Sequence, residues 1–175
     1  MSATPGTAAV TPPGRVPRFL LPAVDPGEWD GFTLLWATIF LEADGEPATG
    51  KLGVGFVVMN RVALGMAPDV HAVILGRDRR AWGDSKPYEA WSCWNDNERP
   101  QSCARLAAAS EDGRVTSFMA AAGAYFRLVE DPTHGANFYL NPVLTRKIRP
   151  DGQLPSWYAS DRVVATIGRH EFLRV

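Results

Sequence analysis

The chain has 175 residues, of which 46% are hydrophobic and 21% are charged. This length and composition are typical of one globular domain with a hydrophobic core. The formal net charge of −1 gives no overall attraction to nucleic acid, and the Lys and Arg residues form no compensating cluster. No apolar run approaches the roughly 20 residues that a membrane-spanning helix needs. We therefore expect one domain that binds no nucleic acid and does not span a membrane.

The first segment of the chain, residues 1–26, is rich in Pro, Ala, Thr and Gly, and it has no continuous apolar run behind a basic one. Such a composition buries too little apolar surface to order itself, so we predict a flexible arm rather than a secretory signal. The folded domain then covers residues 27–175. If the target lies outside the cytoplasm, the chain needs another route, such as release through a phage-made membrane hole or carriage within a virion.

The segment 30–41 predicts a buried helix. Asp30 is of a residue type that caps helix N-termini, and the apolar residues after it recur at helical spacing on more than one face. Gly45 and Pro47 are strong signals that the helix has ended by that point.

The rest of the chain predicts further helices and a few short strands. Helical patterns cover about residues 49–62, 69–75, 102–110 and 116–129. Asp112 and Gly113 predict a turn between the last two helices, and residues 76–100 predict a long structured loop. Short β-like pieces fall at 137–140 and 163–167. The predicted fold class is α+β, mainly helical with a small β element.

One carboxylic acid, Glu42, directly follows the predicted apolar helix. This position removes the carboxyl group partly from water, which favours its protonated form. A carboxylic acid that stays protonated near neutral pH can donate a proton to a glycosidic oxygen. Because most glutamates at helix ends only cap or solvate the helix, the position by itself leaves both roles open.

Several short motifs follow one another along the chain. They read LEADGEP at 41–47, GVG at 53–55, MNRV at 59–62, WSCWND at 91–96, DPT at 131–133, GA at 135–136, Y at 139, NP at 141–142 and IGRHEF at 167–172. No single motif is specific, but in this order they resemble the SleB-type cell wall hydrolase family, the spore-cortex-lytic enzymes and their relatives. The resemblance covers about residues 30–173.

The resemblance implies a lysozyme-like α+β fold and cleavage of peptidoglycan glycan strands between N-acetylmuramic acid and N-acetylglucosamine. The family's catalytic glutamate falls on Glu42. Glu46 also matches the pattern, and we interpret it as a cap or supporting group and as the fallback acid. The chain has Asn137 and Phe138 before Tyr139 where many relatives have Thr-His, so any role of that histidine does not transfer.

Aromatic and amide side chains in the matching motifs suit a sugar cleft, because aromatic faces stack on pyranose rings while amides and hydroxyls bond their rims. The predicted substrate-binding residues are Trp94, Asn95, Asp96, Tyr139 and Asn141. Core packing is the alternative role for Trp94, since it is the commoner use of large aromatic residues.

Hydrolysis of a glycoside usually needs a second carboxylate. The candidates are Asp44, Asp84, Glu89 and Asp96, of which Asp96 is the best placed, although an aspartate in such a loop more often bonds its own backbone. If none faces Glu42, the enzyme can work as a lytic transglycosylase, and this is the reaction that we expect. The alternatives are a hydrolytic muramidase and a non-catalytic wall-binding or virion structural module.

The remaining polar residues give weaker signals. Cys93 and Cys103 either form a disulfide or stay as thiols, and neither is expected to be a nucleophile. The three histidines lack the spacing of a metal site, so we expect no metal and no cofactor. Arg61 is predicted to anchor structure through a carboxylate.

The segment between Asn141 and Trp157 is predicted as an extended loop. It contains Arg146, Lys147 and Arg149, whose charges we expect to be solvated, with contact to peptide-stem carboxylates as the alternative. We expect the protein to be a monomer.

Overall fold

The computed structural model describes residues 25–76 and 91–175. Within these ranges the helices are α1 (Gly31–Ala43), α2 (Ala48–Ala63), α3 (Val70–Ile74), α4 (Arg99–Ala107), α5 (Glu111–Tyr125) and α6 (Pro142–Ile148). The strands are β1 (Phe138–Leu140), β2 (Val163–Ile167) and β3 (His170–Leu173). Short 3₁₀ helices occupy Pro26–Glu28, Ser92–Trp94 and Ser160–Arg162. The architecture confirms the predicted α+β class.

Helix α1 begins as the sequence predicts. The Asp30 side chain accepts hydrogen bonds from the backbone N–H groups of Phe32 and Thr33, each at 3.0 Å, which satisfies donors that the first helical turn leaves free. An unbroken buried stretch follows from residue 34 to residue 41. Because α1 continues to Ala43, Glu42 lies within its last turn rather than after it.

Helix α2 packs against α1, α5 and the sheet, and glycines allow the close approach. A Cβ atom on Gly55 would lie 2.9 Å from the Cβ atom of Ala124 on α5. A Cβ atom on Gly53 would lie 2.7 Å from Cζ of Phe172 on β3. Helix α2 therefore joins the helical layer to the sheet.

The three-stranded antiparallel sheet has the order β1-β3-β2. Its central strand, β3, was not predicted from the sequence, whereas β1 and β2 fall on the predicted pieces. Strand β3 is four residues long and follows a turn in which Gly168 has a φ of +60°. Such a short strand depends on hydrogen bonds to both neighbours, which local sequence does not encode.

Two other predictions are wrong in their details. Asp112 and Gly113 do not form a turn but lie in the first turn of α5, because the Ser110 hydroxyl accepts a hydrogen bond from the Gly113 N–H at 3.1 Å and caps the helix there. The segment after Asn141 is not simply a loop, since it begins with α6. Residues 1–24 of the predicted arm at 1–26, and residues 77–90 of the predicted loop at 76–100, lie outside the described residues.

Candidate active site

The carboxyl group of Glu42 meets the hydroxyl group of Tyr139. Glu42 lies half-buried in the last turn of α1, and Tyr139 lies in β1, 97 positions further along the chain. The Tyr139 hydroxyl donates a hydrogen bond to Oε2 of Glu42 at 3.1 Å. The end of a buried helix and a strand of the sheet thus present two polar groups to each other.

Other rings hold the phenol of Tyr139 in place. Its ring centroid lies 5.5 Å from that of Trp91, 5.1 Å from that of His170 and 5.9 Å from that of Phe172. Burial, followed by the charge of Glu42, raises the pKa of Tyr139 well above its usual 10. The phenol therefore keeps its proton at neutral pH and remains a hydrogen-bond donor to Glu42.

The thiol of Cys93 belongs to the same surroundings. Burial and then the nearby Glu42 carboxylate raise the pKa of the Cys93 thiol far above its usual value. The thiol stays neutral, and a neutral thiol is a poor nucleophile. Cys93 is buried and Cys103 is exposed, and both are free thiols, which settles the disulfide question that the sequence left open.

The carboxyl group of Glu46 has a different environment from that of Glu42. The Arg169 side chain donates to Oε1 of Glu46 at 2.6 Å, and the Arg169 backbone N–H donates to Oε2 at 2.9 Å. Burial by itself raises the pKa of Glu46, but these bonds and the charges of Arg169 and His170 outweigh it and lower the pKa. Because Glu46 is held ionised, the structure favours the predicted supporting role over the fallback role as an acid.

Residues 45–173 match the family model described as Cell Wall Hydrolase. The chain belongs to this family. The matched range includes Glu46 and Tyr139 and begins just after Glu42. Membership confirms the resemblance seen in the motifs and supports an enzyme that cleaves the peptidoglycan of the cell wall.

Two solved structures share the fold of this cell wall hydrolase. The catalytic domain of the Bacillus cereus SleB protein is 23% identical with a TM-score of 0.52, and the match covers 82% of this chain and 89% of that one. The catalytic domain of the germination-specific lytic transglycosylase SleB from Bacillus anthracis is 20% identical with a TM-score of 0.52, covering 89% of this chain and 100% of that one. A search of curated proteins finds no match.

The predicted sugar contact at Trp94 needs correction. Trp94 has no exposed surface, its Nε1 donates to Oγ1 of Thr38 at 2.9 Å, and its ring packs edge-on against Trp29 at 5.8 Å. A side chain with no exposed face cannot stack on a sugar in this structure. Trp94 therefore packs the core of the cell wall hydrolase, the alternative that the sequence had left open.

The other predicted contacts of the cell wall hydrolase lie nearer the surface. Asn95 is half-buried at the end of the 3₁₀ helix, and the exposed Asp96 lies 3.6 Å from the guanidinium of Arg99. Asn141 caps α6, with Oδ1 accepting the Leu144 N–H at 3.0 Å. Sugar binding by Asn95, Asp96 and Asn141 stays a prediction.

The side chain of Arg61 is buried between a backbone carbonyl and an aromatic ring. Its Nε donates to the backbone carbonyl of Asn137 at 2.7 Å, and its guanidinium lies 4.7 Å from the ring centroid of Phe138. Burial lowers the pKa of Arg61 to about 10, so the side chain is still charged at neutral pH. The structure thus anchors Arg61 to a backbone carbonyl, and its pairing with a carboxylate stays a prediction. The neighbouring Asn60 donates to Asp131 at 2.9 Å.

Sequence reasoning did not place His170 or Trp91 against Tyr139, although both lie in the matching motifs. Each contacts the ring of Tyr139. Their position in the motifs was the available signal, but the sequence could not show what they pack against.

Two further features concern the described ranges, 25–76 and 91–175. No three His, Cys, Asp or Glu side chains there converge on a point that could hold a metal ion. None of the helices described is long and apolar enough to cross a membrane.

Proposed function

We propose that this cell wall hydrolase is a lytic transglycosylase that cleaves the bond between N-acetylmuramic acid and N-acetylglucosamine, with Glu42 as its one catalytic acid and base. The observation that carries the proposal is the half-buried Glu42 carboxyl at the end of α1, whose hydrogen-bond partner is a phenol. The similarity in fold to the germination-specific lytic transglycosylase SleB from Bacillus anthracis supports the same reaction.

In the first step, protonated Glu42 gives its proton to the glycosidic oxygen. The bond between that oxygen and C1 of the muramic acid breaks, the bonding pair stays with the departing sugar, and positive charge develops at C1. Glu42 is then a negatively charged carboxylate. The Tyr139 hydroxyl, 3.1 Å from Oε2 of Glu42, stabilises this charge through a charge-assisted hydrogen bond.

In the second step, the Glu42 carboxylate removes the proton from the 6-hydroxyl of the same muramic acid. The 6-oxygen then bonds to C1 and closes a 1,6-anhydro ring, and Glu42 is protonated again. No water is consumed, so this route needs no second carboxylate to activate one.

A hydrolytic muramidase would need a second carboxylate across the cleft, about 5–10 Å from the first. Glu46 is held by Arg169, whereas Asp44 and Asp96 are exposed. Asp84 and Glu89 lie outside the described residues. Transglycosylation is supported because its two steps need one acid, Glu42, and no second carboxylate.

The test uses purified peptidoglycan and mass spectrometry of the released fragments. We expect anhydro ends, which are one water lighter than the reducing ends that a muramidase releases. Glu42→Gln keeps the shape of the side chain and removes the acid, so the rate should fall by about 10²-fold or more. Glu28→Gln, an exposed glutamate before α1, is the matched control and should be fully active.

Each other outcome of this test has its own meaning. Full activity of Glu42→Gln contradicts the assignment of the acid. Reducing ends indicate a muramidase, and binding without any released fragment indicates a non-catalytic wall-binding module.

We also expect the protein to act as a monomer, and to reach the wall through a phage-made membrane hole or within a virion.

A further inference from the structure

Helix α6 exposes most of its surface. None of its residues is buried, and Pro142 and Thr145 are the two that are partly covered. At about 3.6 residues per turn, those two share the inner side of the helix. The remaining side chains follow one another around the outer face in the order Arg146, Val143, Lys147, Leu144 and Ile148.

The outer face combines apolar groups with positive charge. Val143 is 76% exposed, Leu144 51% and Ile148 68%, so three aliphatic side chains face solvent on two consecutive turns of one helix. Arg146 and Lys147 are exposed beside them, and within the described residues neither is paired with a carboxylate. Arg149, just beyond the helix, already pairs with Asp151 at 3.2 Å.

This face lies within reach of Glu42. Tyr139, which contacts Glu42, precedes Pro142 by three residues, and three residues of extended chain span at most about 10 Å. The four residues from Pro142 to Arg146 add about 6 Å along the helix. The Cα atoms of Tyr139 and Arg146 are therefore at most about 16 Å apart.

We propose that the outer face of α6 binds the peptide stem of peptidoglycan. Arg146 and Lys147 pair with stem carboxylates, while Val143 and Leu144 contact the methyl groups of its alanine residues. The stem hangs from the lactyl group of the muramic acid whose bond is cleaved, and five extended residues span about 17 Å, which is long enough to cover that separation. This inference rests on the proposed function and assigns the cell wall hydrolase a preference for strands that carry peptides.

An anionic lipid surface is the other partner that a basic and apolar helix suits. Helix α6 has only 7 residues, whereas many helices that lie in membrane interfaces have about 20 or more. The peptide stem, with its carboxylates and methyl groups, fits a face of this size better.

The test compares two substrates: intact peptidoglycan, and the same strands after an amidase has removed the stems. For Arg146→Glu/Lys147→Glu, we expect kcat/KM on stem-bearing strands to fall about fivefold, mainly through KM, and to stay unchanged on bare strands. Because these side chains are exposed, the thermal melting temperature should not change.

Arg127→Glu is the control for charge reversal at an exposed arginine outside α6, with one charge reversed against two in the test variant. Arg127 follows Phe126, whose ring lies 5.6 Å from that of Phe32 at the start of α1, at the opposite end of this helix from Glu42. This control should cleave both substrates as the unmodified chain does.

An equal loss on both substrates, or no loss on either, would overturn the inference. Binding to phosphatidylglycerol vesicles is the other outcome to test. If the unmodified chain binds these vesicles and the double variant does not, while both proteins show the same preference for stem-bearing strands, the inference is also overturned. If the unmodified chain cleaves neither substrate, the proposed function itself fails, and that outcome is distinct from these.

Discussion

At the scale of single residues, the hydroxyl group of Tyr139 donates a hydrogen bond that we expect to orient Glu42. Tyr139→Phe removes this hydroxyl and keeps the ring, so we expect kcat to fall about tenfold while KM changes little. Tyr158→Phe is the matched control, because its hydroxyl also donates to a carboxylate, that of Glu171, at 2.8 Å. If Tyr139 acts only by stacking on sugar, the phenylalanine variant will keep its full kcat.

Glu46 is a second carboxylate in the matching motifs, and its bonds to Arg169 predict that the stability of the fold depends on pH. The pKa of Glu46 is lower in the folded chain than in the unfolded chain. Ionised Glu46 therefore stabilises the fold at any pH above its unfolded pKa. This stabilisation is lost as the pH falls through its folded pKa. We expect Glu46→Gln to lower the free energy of unfolding by about 2 kcal/mol at pH 7.

Urea denaturation at neutral and at strongly acidic pH measures this difference, which should shrink in acid. Cleavage per folded molecule should stay close to that of the unmodified chain, with Glu28→Gln again as the control. A variant that is fully stable but inactive would restore Glu46 as a candidate acid.

At the scale of elements, the contact between α2 and β3 holds the helices to the sheet. A Cβ atom on Gly53 would lie 2.7 Å from Cζ of Phe172 and 2.9 Å from Cγ2 of Thr133. The ring of Phe172 is fully buried, so it has little room to move. We expect Gly53→Ala to cost about 2 kcal/mol, although alanine is the better helix former.

Gly31→Ala is the control for this change, because the nearest atom to its Cβ would be at 3.5 Å, an ordinary contact distance. Thermal denaturation of both variants measures the effect. If Gly53→Ala and Gly31→Ala melt at the same temperature, α2 and β3 can move apart slightly without loss of stability.

Elements with strong local signals were predicted well, and those without were not. The cap at Asp30 and the apolar periodicity after it place α1 within two residues of its observed end. Helix α6 and strand β3 are short, and their sequences do not show a clear period. Neighbouring elements decide whether such segments become regular structure.

At the scale of the whole molecule, the candidate site joins four separate parts of the chain. Glu42 comes from α1, Tyr139 from β1, His170 from β3, and Trp91 and Cys93 from the segment before α4. Each of them lies in a motif that the sequence singled out. Their mutual contacts arise only when the helices and the sheet pack together.

From the chain alone we could predict the mainly helical α+β class, recognise the order of the motifs, and single out Glu42 and Tyr139 as candidate site residues. These depend on residue type and on spacing over a few positions, which can be read along a chain. The packing of the helices against the sheet was needed to show that Trp94 packs the core, that Glu46 is bound to Arg169, and that Tyr139 bonds Glu42. Burial and hydrogen-bond partners depend on residues far apart in the sequence, 97 positions in the case of Glu42 and Tyr139, and folding alone brings them together.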